Sequence, residues 1–362
     1  MFGNIYSGKK VLLTGHTGFK GSWLAFWLKQ LGAEVCGVAL PLETQYCHFD
    51  LLKTDIRSEY ADIRDCGKIA QIVADFKPDM VFHLAAQPLV RLSYAQPVET
   101  FAANVMGTIH VLDACRKVDS VRAIVAISSD KCYENREQTT GYKESDPMGG
   151  YDPYSASKGC TELVISSYRR SFFNNDDFGV KHHTLLASGR AGNVIGGGDW
   201  AQDRLVPDIM KAAAKGETVI IRSPHATRPW QHVLEPLSGY LALGQKLLEG
   251  QKEFACGWNF GPAGEGNICV EKVTSALAQE WDSIKIKIDP PADAPHEAGL
   301  LALDCTKAKN ELAWHGVWTP EETFKYTANW YKQFYTNGKI STQDDLNAYI
   351  ASAQKENLSW IK

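Results

Sequence analysis

Nowhere in the 362 residues does an uncharged apolar run approach the roughly 18 to 20 residues that a membrane helix needs. The opening MFGNIYSGKKVLLTG leads directly into a strand and lacks the form of a signal peptide, so a cytoplasmic protein with no membrane partner is expected. Also missing is any CxxC pair. The nine cysteines, Cys36, Cys47, Cys66, Cys115, Cys132, Cys160, Cys256, Cys269 and Cys305, lie scattered. An odd number at such spacing suits reduced thiols better than disulfides or a zinc site, and no metal is expected. No positive excess is present either: the formal net charge of −4 argues against a nucleic-acid surface and leaves small molecules as the expected partners. No internal repeat or low-complexity tract is visible.

What is present is ordinary globular material, 44% hydrophobic and 22% charged, long enough for a large α/β domain and a smaller one. Apolar runs alternate with amphipathic stretches: strand Val11–Thr14, helix Phe19–Leu31, strand Val35–Leu40, helix Gly67–Phe76, strand Met80–Leu84, helix Val98–Lys117, strand Ala123–Ile127. A helix from Pro153 to Arg170 and a strand His183–Ala187 continue the series. This rhythm predicts βαβ units in a Rossmann-type, doubly wound parallel sheet. Beyond Gly189 the pattern becomes irregular and rich in Gly, Pro, Arg and Trp. Residues 1–189 therefore read as a nucleotide-binding domain, and 190–362 as mainly a substrate-binding lobe partly interleaved with it. The tail from Ser341 reads as a short polar helix, Gln343–Lys355, with no chemistry of its own.

Gly15-His16-Thr17-Gly18-Phe19-Lys20-Gly21 follows the first strand and opens the first helix. There the backbone must turn sharply and aim its N–H groups at a pyrophosphate, which glycines allow. Two details differ from the usual dinucleotide fingerprint. The second strand ends Val38-Ala39-Leu40-Pro41 where a ribose-binding carboxylate is normal, Glu43 being the nearest acid. His16 occupies a place that commonly holds a small residue, and its imidazole is expected to crowd the phosphates or to add a donor.

Tyr154 and Lys158, in YSASK at a helix start, stand four residues apart on one face. A lysine beside a tyrosine stabilises phenolate and makes it a better general base. The strand Ala123–Ile127 runs into Ser128-Ser129-Asp130-Lys131, at the carboxyl end of the sheet where α/β ligands sit. A hydroxyl there can share a substrate proton with Tyr154. Asp130 and Lys131 exceed what a simple oxidation needs and point to further proton transfers.

With GHTGFKG, Asp62-Ile63 in ADIRD, His83-Leu84-Ala85-Ala86-Gln87, Asn104, SSDK and YSASK in place, the chain resembles, over nearly its whole length, the extended short-chain dehydrogenases that modify nucleotide sugars. GHTGFKGSWL, SSDKCYEN, RAGNVIGGGDW and RPWQHVLEPL make it most similar to the 4,6-dehydratases of that group. Relatives for dTDP-glucose and GDP-mannose typically carry an Asp-Glu pair where this chain has Asp130-Lys131. The resemblance implies NAD as cofactor, held by the glycine loop, Asp62 and Ile63 at the adenine, Leu84, Ala85 and Ala86 close by, and Tyr154 and Lys158 at the nicotinamide ribose. It implies a cytosine nucleotide sugar as substrate, met by Gln87, Asn193, Arg204 and Arg228, and a homodimer or homotetramer. His296-Glu297, before a strand-like Leu300–Leu303, looks family-like but has no assigned role.

The resemblance also implies a reaction. A 4,6-dehydratase oxidises the 4-hydroxyl, expels water across carbons 5 and 6, and returns the hydride to carbon 6. Tyr154 would be the base for the hydroxyl, Ser129 its hydrogen-bond partner, Lys158 the phenolate stabiliser, and Asp130 the acid for the departing 6-hydroxyl. Lys131 would move the proton at carbon 5, or stay charged and stabilise the enolate, since a free lysine titrates near about 10.4. A sugar-nucleotide 4-epimerase has no use for Asp130-Lys131. A non-catalytic cofactor-binding regulator has no need of Tyr154 and Lys158.

Overall fold

A computed structural model describes residues 1–41, 44–221, 223–262, 267–289 and 300–362. Seven strands form the main sheet: β1 Lys10–Thr14, β2 Glu34–Ala39, β3 Arg57–Tyr60, β4 Met80–His83, β5 Ala123–Ile127, β6 Leu185–Arg190 and β7 Gly257–Asn259. Their order is β7-β6-β5-β4-β1-β2-β3 and every neighbouring pair is parallel. The expected doubly wound sheet is what forms. Its order reverses between β1 and β4, so their carboxyl ends open onto a crevice. All five residues of β5 and four of the five in β1 are buried, as a parallel sheet covered on both faces requires.

Helices α1 Phe19–Gln30, α2 Cys66–Phe76, α3 Gly107–Cys115, α4 Pro153–Ser171, α5 Leu205–Lys215 and α6 Leu234–Leu248 surround it, followed by α7 Pro320–Asn337 and α8 Thr342–Lys355. Trp23, Trp27, Leu237, Tyr240 and Leu241 from α1 and α6 pack one face of the sheet. Ile72, Val73, Val111 and Leu112 from α2 and α3 pack the other.

Several boundaries differ from the sequence reading. The helix expected over Val98–Lys117 is two α-helical runs, Pro97–Phe101 and α3, joined through a π-helical turn, Ala102–Met106. Asn104 in that turn uses its side chain outside the helix: it accepts the Gln87 N–H at 2.7 Å and donates to Ser157 Oγ at 2.8 Å. The bulge thus ties α4 to the segment after β4, in keeping with the habit of π turns to sit at functional sites. Leu300–Leu303 forms no strand; Leu303 makes one bridge with Tyr142. Glu43, His296 and Glu297 lie outside the described residues.

The tail is less polar than its sequence suggests. Leu346, Tyr349 and Ala353 of α8 are buried, and Trp360 stacks on Phe2 at 5.2 Å. Among the described residues no helix is long and apolar enough to cross a membrane.

Candidate active site

Above the carboxyl ends of β1, β4, β5 and β6 lies a cleft of about 1410 Å³. One end is built by the glycine loop. Gly15 has φ +81°, and a Cβ there would come within 2.9 Å of the Ala85 nitrogen, so only glycine lets the loop lie against the segment after β4. A Cβ on Gly21 would fall 1.9 Å from the Gly15 carbonyl oxygen, which fixes the start of α1 against the same turn. Gly18 caps α1 without a side-chain hydrogen bond, and the first turn carries no acid. The opening amides of α1, from Phe19 to Gly21, lack intrahelical partners and form an anion site that suits a pyrophosphate. Thr17 is held by its hydroxyl donating to the Leu40 carbonyl at 2.9 Å.

His16 departs from expectation. Its ring lies behind the loop, fully buried, with Nε2 2.6 Å from Ser58 Oγ and its edge against Phe49. Gly37 of β2 provides the room: a Cβ there would come within 2.3 Å of the ring. Burial lowers the imidazole to about 4, so it is neutral. It neither crowds the cleft nor donates into it; its contribution to the loop is backbone.

Lys20 also surprises. Its side chain leaves the loop for the centre of the cleft, with the ammonium 6.0 Å from the centroid of the Tyr240 ring. Burial lowers it to about 7, Asp130 opposes that shift, and Arg204 and Lys158 add to it. A motif read only for its backbone thus sends an amine toward Asp130 and Lys158.

Asp62 and Ile63, just beyond β3, line the far side of the loop. Arg64 grips Asp62 through Nη2 at 2.6 Å and Nε at 2.9 Å, holding its carboxyl below the usual range. Ile63 packs against Gly107. Leu84, Ala85, Ala86 and Gln87 line the opposite wall. The Gln87 side chain is engaged locally, with Thr100 Oγ1 at 2.9 Å and the Leu89 amide at 2.5 Å.

The reactive cluster sits where α4 begins. Asp152 caps α4 by accepting the Ser155 N–H at 2.9 Å, Pro153 takes the first helical position, and Tyr154 follows with its N–H on Ser93 Oγ at 3.1 Å. Burial pushes the Tyr154 phenol up to about 12; the Ser129 hydroxyl pulls the other way, Asp130 raises it and Arg204 lowers it. Burial lowers Lys158 to about 8, against Cys132 and Glu162. Ser129 donates to Asp130 Oδ1 at 2.8 Å and accepts the Lys131 N–H at 3.2 Å. Asp130 is 1% exposed, and its Oδ2 meets no hydrogen-bond partner. Gly192 lies over that oxygen so closely that a Cβ would stand 1.8 Å away. Lys131 is half-buried on the cleft wall.

Beneath the cluster is a buried ion pair that no motif of the sequence singles out. Arg190 Nη2 donates to Glu162 Oε2 at 2.8 Å, and Ser188 donates to the same oxygen at 2.8 Å. Ser128 donates to Oε1. Burial alone would raise Glu162; Arg190 and the hydroxyls overcome it and hold the carboxylate charged. The network locks the end of β5 to α4 and β6, the three elements that carry the cluster.

Asn193, Arg204 and Arg228 line the remaining length of the cleft. Asn193 adopts a left-handed φ of 44°. Arg204 precedes α5 and is held by Asp199 at 3.0 Å. Arg228 lies on the short strand Thr227–Pro229, its Nη1 donating to the Thr227 carbonyl at 2.8 Å.

Comparison with known proteins gives a consistent set of relatives. A family model described as GDP-mannose 4,6 dehydratase matches residues 12–327. The CDP-glucose 4,6-dehydratase of Salmonella typhimurium is 50% identical over 356 residues, covering 97% of this chain and 99% of the relative. A dTDP-glucose 4,6-dehydratase from Streptomyces venezuelae, solved with NAD bound, aligns with a TM-score of 0.74 at 22% identity, over 90% of this chain and 97% of that one. The UDP-glucose 4-epimerase of Thermotoga maritima aligns with a TM-score of 0.76 at 22% identity, over 90% and 99%. At that identity the two solved structures bear on the fold alone.

Proposed function

The chain belongs to the GDP-mannose 4,6-dehydratase family, and on that footing we propose that it is an NAD-dependent lyase converting CDP-glucose to CDP-4-keto-6-deoxyglucose with loss of water. The observation that carries this reading is the buried Asp130 carboxylate, hydrogen-bonded to Ser129 and lining the same cleft as Tyr154. An oxidation needs the tyrosine and the serine. Expulsion of a hydroxyl needs an acid beside them.

NAD, when bound, supplies the acceptor for the hydride of carbon 4 and its return to carbon 6. Gly15, Thr17, Gly18, Phe19 and Gly21, with the backbone of His16, would hold its pyrophosphate, and the uncapped start of α1 fits that charge. Asp62, Ile63, Leu84, Ala85 and Ala86 would flank the rest. On the sugar side Tyr154 takes the 4-hydroxyl proton, Ser129 orients both hydroxyls, and Lys158 meets the nicotinamide ribose. A ketone at carbon 4 acidifies the proton on carbon 5. Lys131 serves that proton, and Asp130 protonates the departing 6-hydroxyl. Gln87 lies toward the sugar, and Asn193, Arg204 and Arg228 toward the nucleotide, where guanidinium groups suit phosphate oxygens.

The decisive experiment offers CDP-, dTDP-, GDP- and UDP-sugars in turn and assays the 4-keto-6-deoxy product by its absorbance in strong base. Product from CDP-glucose above the others is expected. Inversion at carbon 4 without that absorbance would make the protein an epimerase, and a preference for another base would correct the nucleotide.

A homodimer belongs to the same reading. Its support is a set of exposed apolar side chains, Val98, Phe101, Met106, Leu163 and Phe172, on packed helical segments between Pro97 and Phe172.

A further inference from the structure

Gly192 stands between β6 and Asn193, and nothing in its own backbone asks for glycine. Its φ is not among the positive ones, unlike that of Gly198 further along the same segment. The demand comes from Asp130. A Cβ on Gly192 would lie 1.8 Å from Oδ2, 2.2 Å from Cγ and 2.7 Å from Oδ1, so it would take the place of the carboxylate. These three nearest atoms all belong to Asp130. The effect of a methyl therefore starts at this acid and not at Tyr154 or Lys158.

Which side would yield to that methyl depends on what holds each. The Gly192 carbonyl accepts Gln231 Nε2 at 3.1 Å, and the same nitrogen donates to the Phe260 carbonyl at 3.0 Å; Gln231 is fully buried. The Gln231 N–H donates to the Asn193 carbonyl at 3.3 Å, and Val194-Ile195 then pairs in parallel with Gln231-His232. On the other side Arg190 pairs with Asn259 in the sheet, and its carbonyl accepts the Phe260 N–H at 2.8 Å. The backbone at Gly192 is thus pinned before and after. Asp130 opens a short 3-10 turn, Asp130–Cys132, and among the described residues its carboxyl takes one hydrogen bond, from Ser129 to Oδ1. Two side-chain torsions are enough to move it. The carboxylate is what an added methyl would displace.

We infer that Gly192 is a positioning residue for the loss of water: carrying no side chain, it admits the Asp130 carboxylate to its place in the cleft, and Gln231 holds the Gly192 backbone against it. The inference rests on the functional reading above, in which Asp130 protonates the departing 6-hydroxyl. The acid follows β5, but its place is set from two other parts of the chain, the segment after β6 and the short strand Gln231–His232. Gly192 gives Oδ2 a close neighbour without giving it a donor, so that oxygen is confined while its lone pairs stay unclaimed by the protein. Elimination is thereby made sensitive to a residue that oxidation does not need.

The test uses the full chain with NAD and CDP-glucose in single turnovers. Reduced nicotinamide absorbance reads oxidation, and the 4-keto-6-deoxy product reads elimination. Gly192→Ala should slow product formation about a hundredfold, the scale of a reacting group misplaced by about 1 Å. Oxidation should stay within about fivefold of the parent, the scale of one weakened hydrogen bond between Ser129 and Asp130, so reduced nicotinamide builds up. Gln231→Met, which keeps the length and removes the donor, should show the same split to a smaller degree. Denaturant midpoints read the shared space directly: Gly192→Ala should lower the midpoint of the parent but not that of Asp130→Ala, where the methyl enters space the carboxylate has left. Should Gly192→Ala fail to fold alone, its combination with Asp130→Ala should fold. Equal slowing of both steps by Gly192→Ala overturns the inference, as does an equal loss of midpoint, or of folding, in both backgrounds. Parental product formation in Gln231→Met overturns the part given to Gln231. Undiminished product from Asp130→Asn overturns instead the assignment of Asp130 as the acid, and a parent that forms no 4-keto-6-deoxy product overturns the functional reading; the midpoints judge the shared space in either case.

Discussion

Lys131 separates elimination from oxidation at the level of a single side chain. If it serves carbon 5, Lys131→Met leaves Tyr154, Ser129 and Lys158 to oxidise the sugar, and reduced nicotinamide accumulates while product falls at least about a hundredfold. A single-turnover experiment reading both signals checks this, with Tyr154→Phe as the control that should abolish both. Loss of reduced nicotinamide in Lys131→Met would move Lys131 to the oxidation or to substrate binding. Product formation at the parental rate would make it a residue of the cleft wall only. That Tyr154, Lys158, Ser129 and Asp130 meet at one point was legible in the sequence, because two share a helix face and two follow a strand that must end on the same edge of the sheet. The reach of Lys20 to the centre of the cleft was not. A glycine motif constrains the backbone, whereas the direction of the one long side chain within it depends on Tyr240 and Asp130, more than a hundred residues away.

At the level of elements, the join between the glycine loop and β2 rests on His16 filling the space that Gly37 leaves. Gly37→Ala should lower stability by about 1 to 3 kcal/mol, because the new methyl would overlap the ring. His16→Ala should cost about 2 to 4 kcal/mol through the space it leaves and the lost bond to Ser58. Combined, the two should cost clearly less than their sum, since each relieves the defect of the other. Denaturant midpoints of the four proteins measure this, and strict additivity would show that the ring and the glycine do not share the space. The position of that imidazole could not be read from the loop, because it is set by a glycine on the neighbouring strand. Helix boundaries were legible where capping is local, as with Asp152 and Pro153 at α4. They were not where a tertiary bond intervenes, as with Asn104, which opens a π turn in an otherwise continuous helical pattern.

For the molecule as a whole, the exposed side chains on Pro97–Phe101 and α4 define the surface on which a second copy would sit. Val98 is 75% exposed, so Val98→Glu should leave the fold intact and place an unpaired charge on that surface. Sedimentation should then give a monomer where the parent gives a dimer; an unchanged dimer would locate the contact elsewhere. The alternation of strands and helices made the parallel sheet legible. The aromatic fastening of the tail, with Trp360 against Phe2, is not legible in the sequence because its partners stand at opposite ends of it.

The edge strand β7 follows β6 only after a gap from Arg190 to Gly257, with α6, which packs on β5 and β6, lying in between. A ribosome adding about 5 to 20 residues per second needs several seconds to cross that interval. Throughout it the nascent chain carries a nearly finished sheet whose β6 edge has no neighbour and whose covering helix is still being made. An open strand edge of this kind is a template for pairing with other chains. The interval between β6 and β7 is therefore the hazardous part of this protein's biosynthesis, and the stretch over which a chaperone that shields strand edges would matter most.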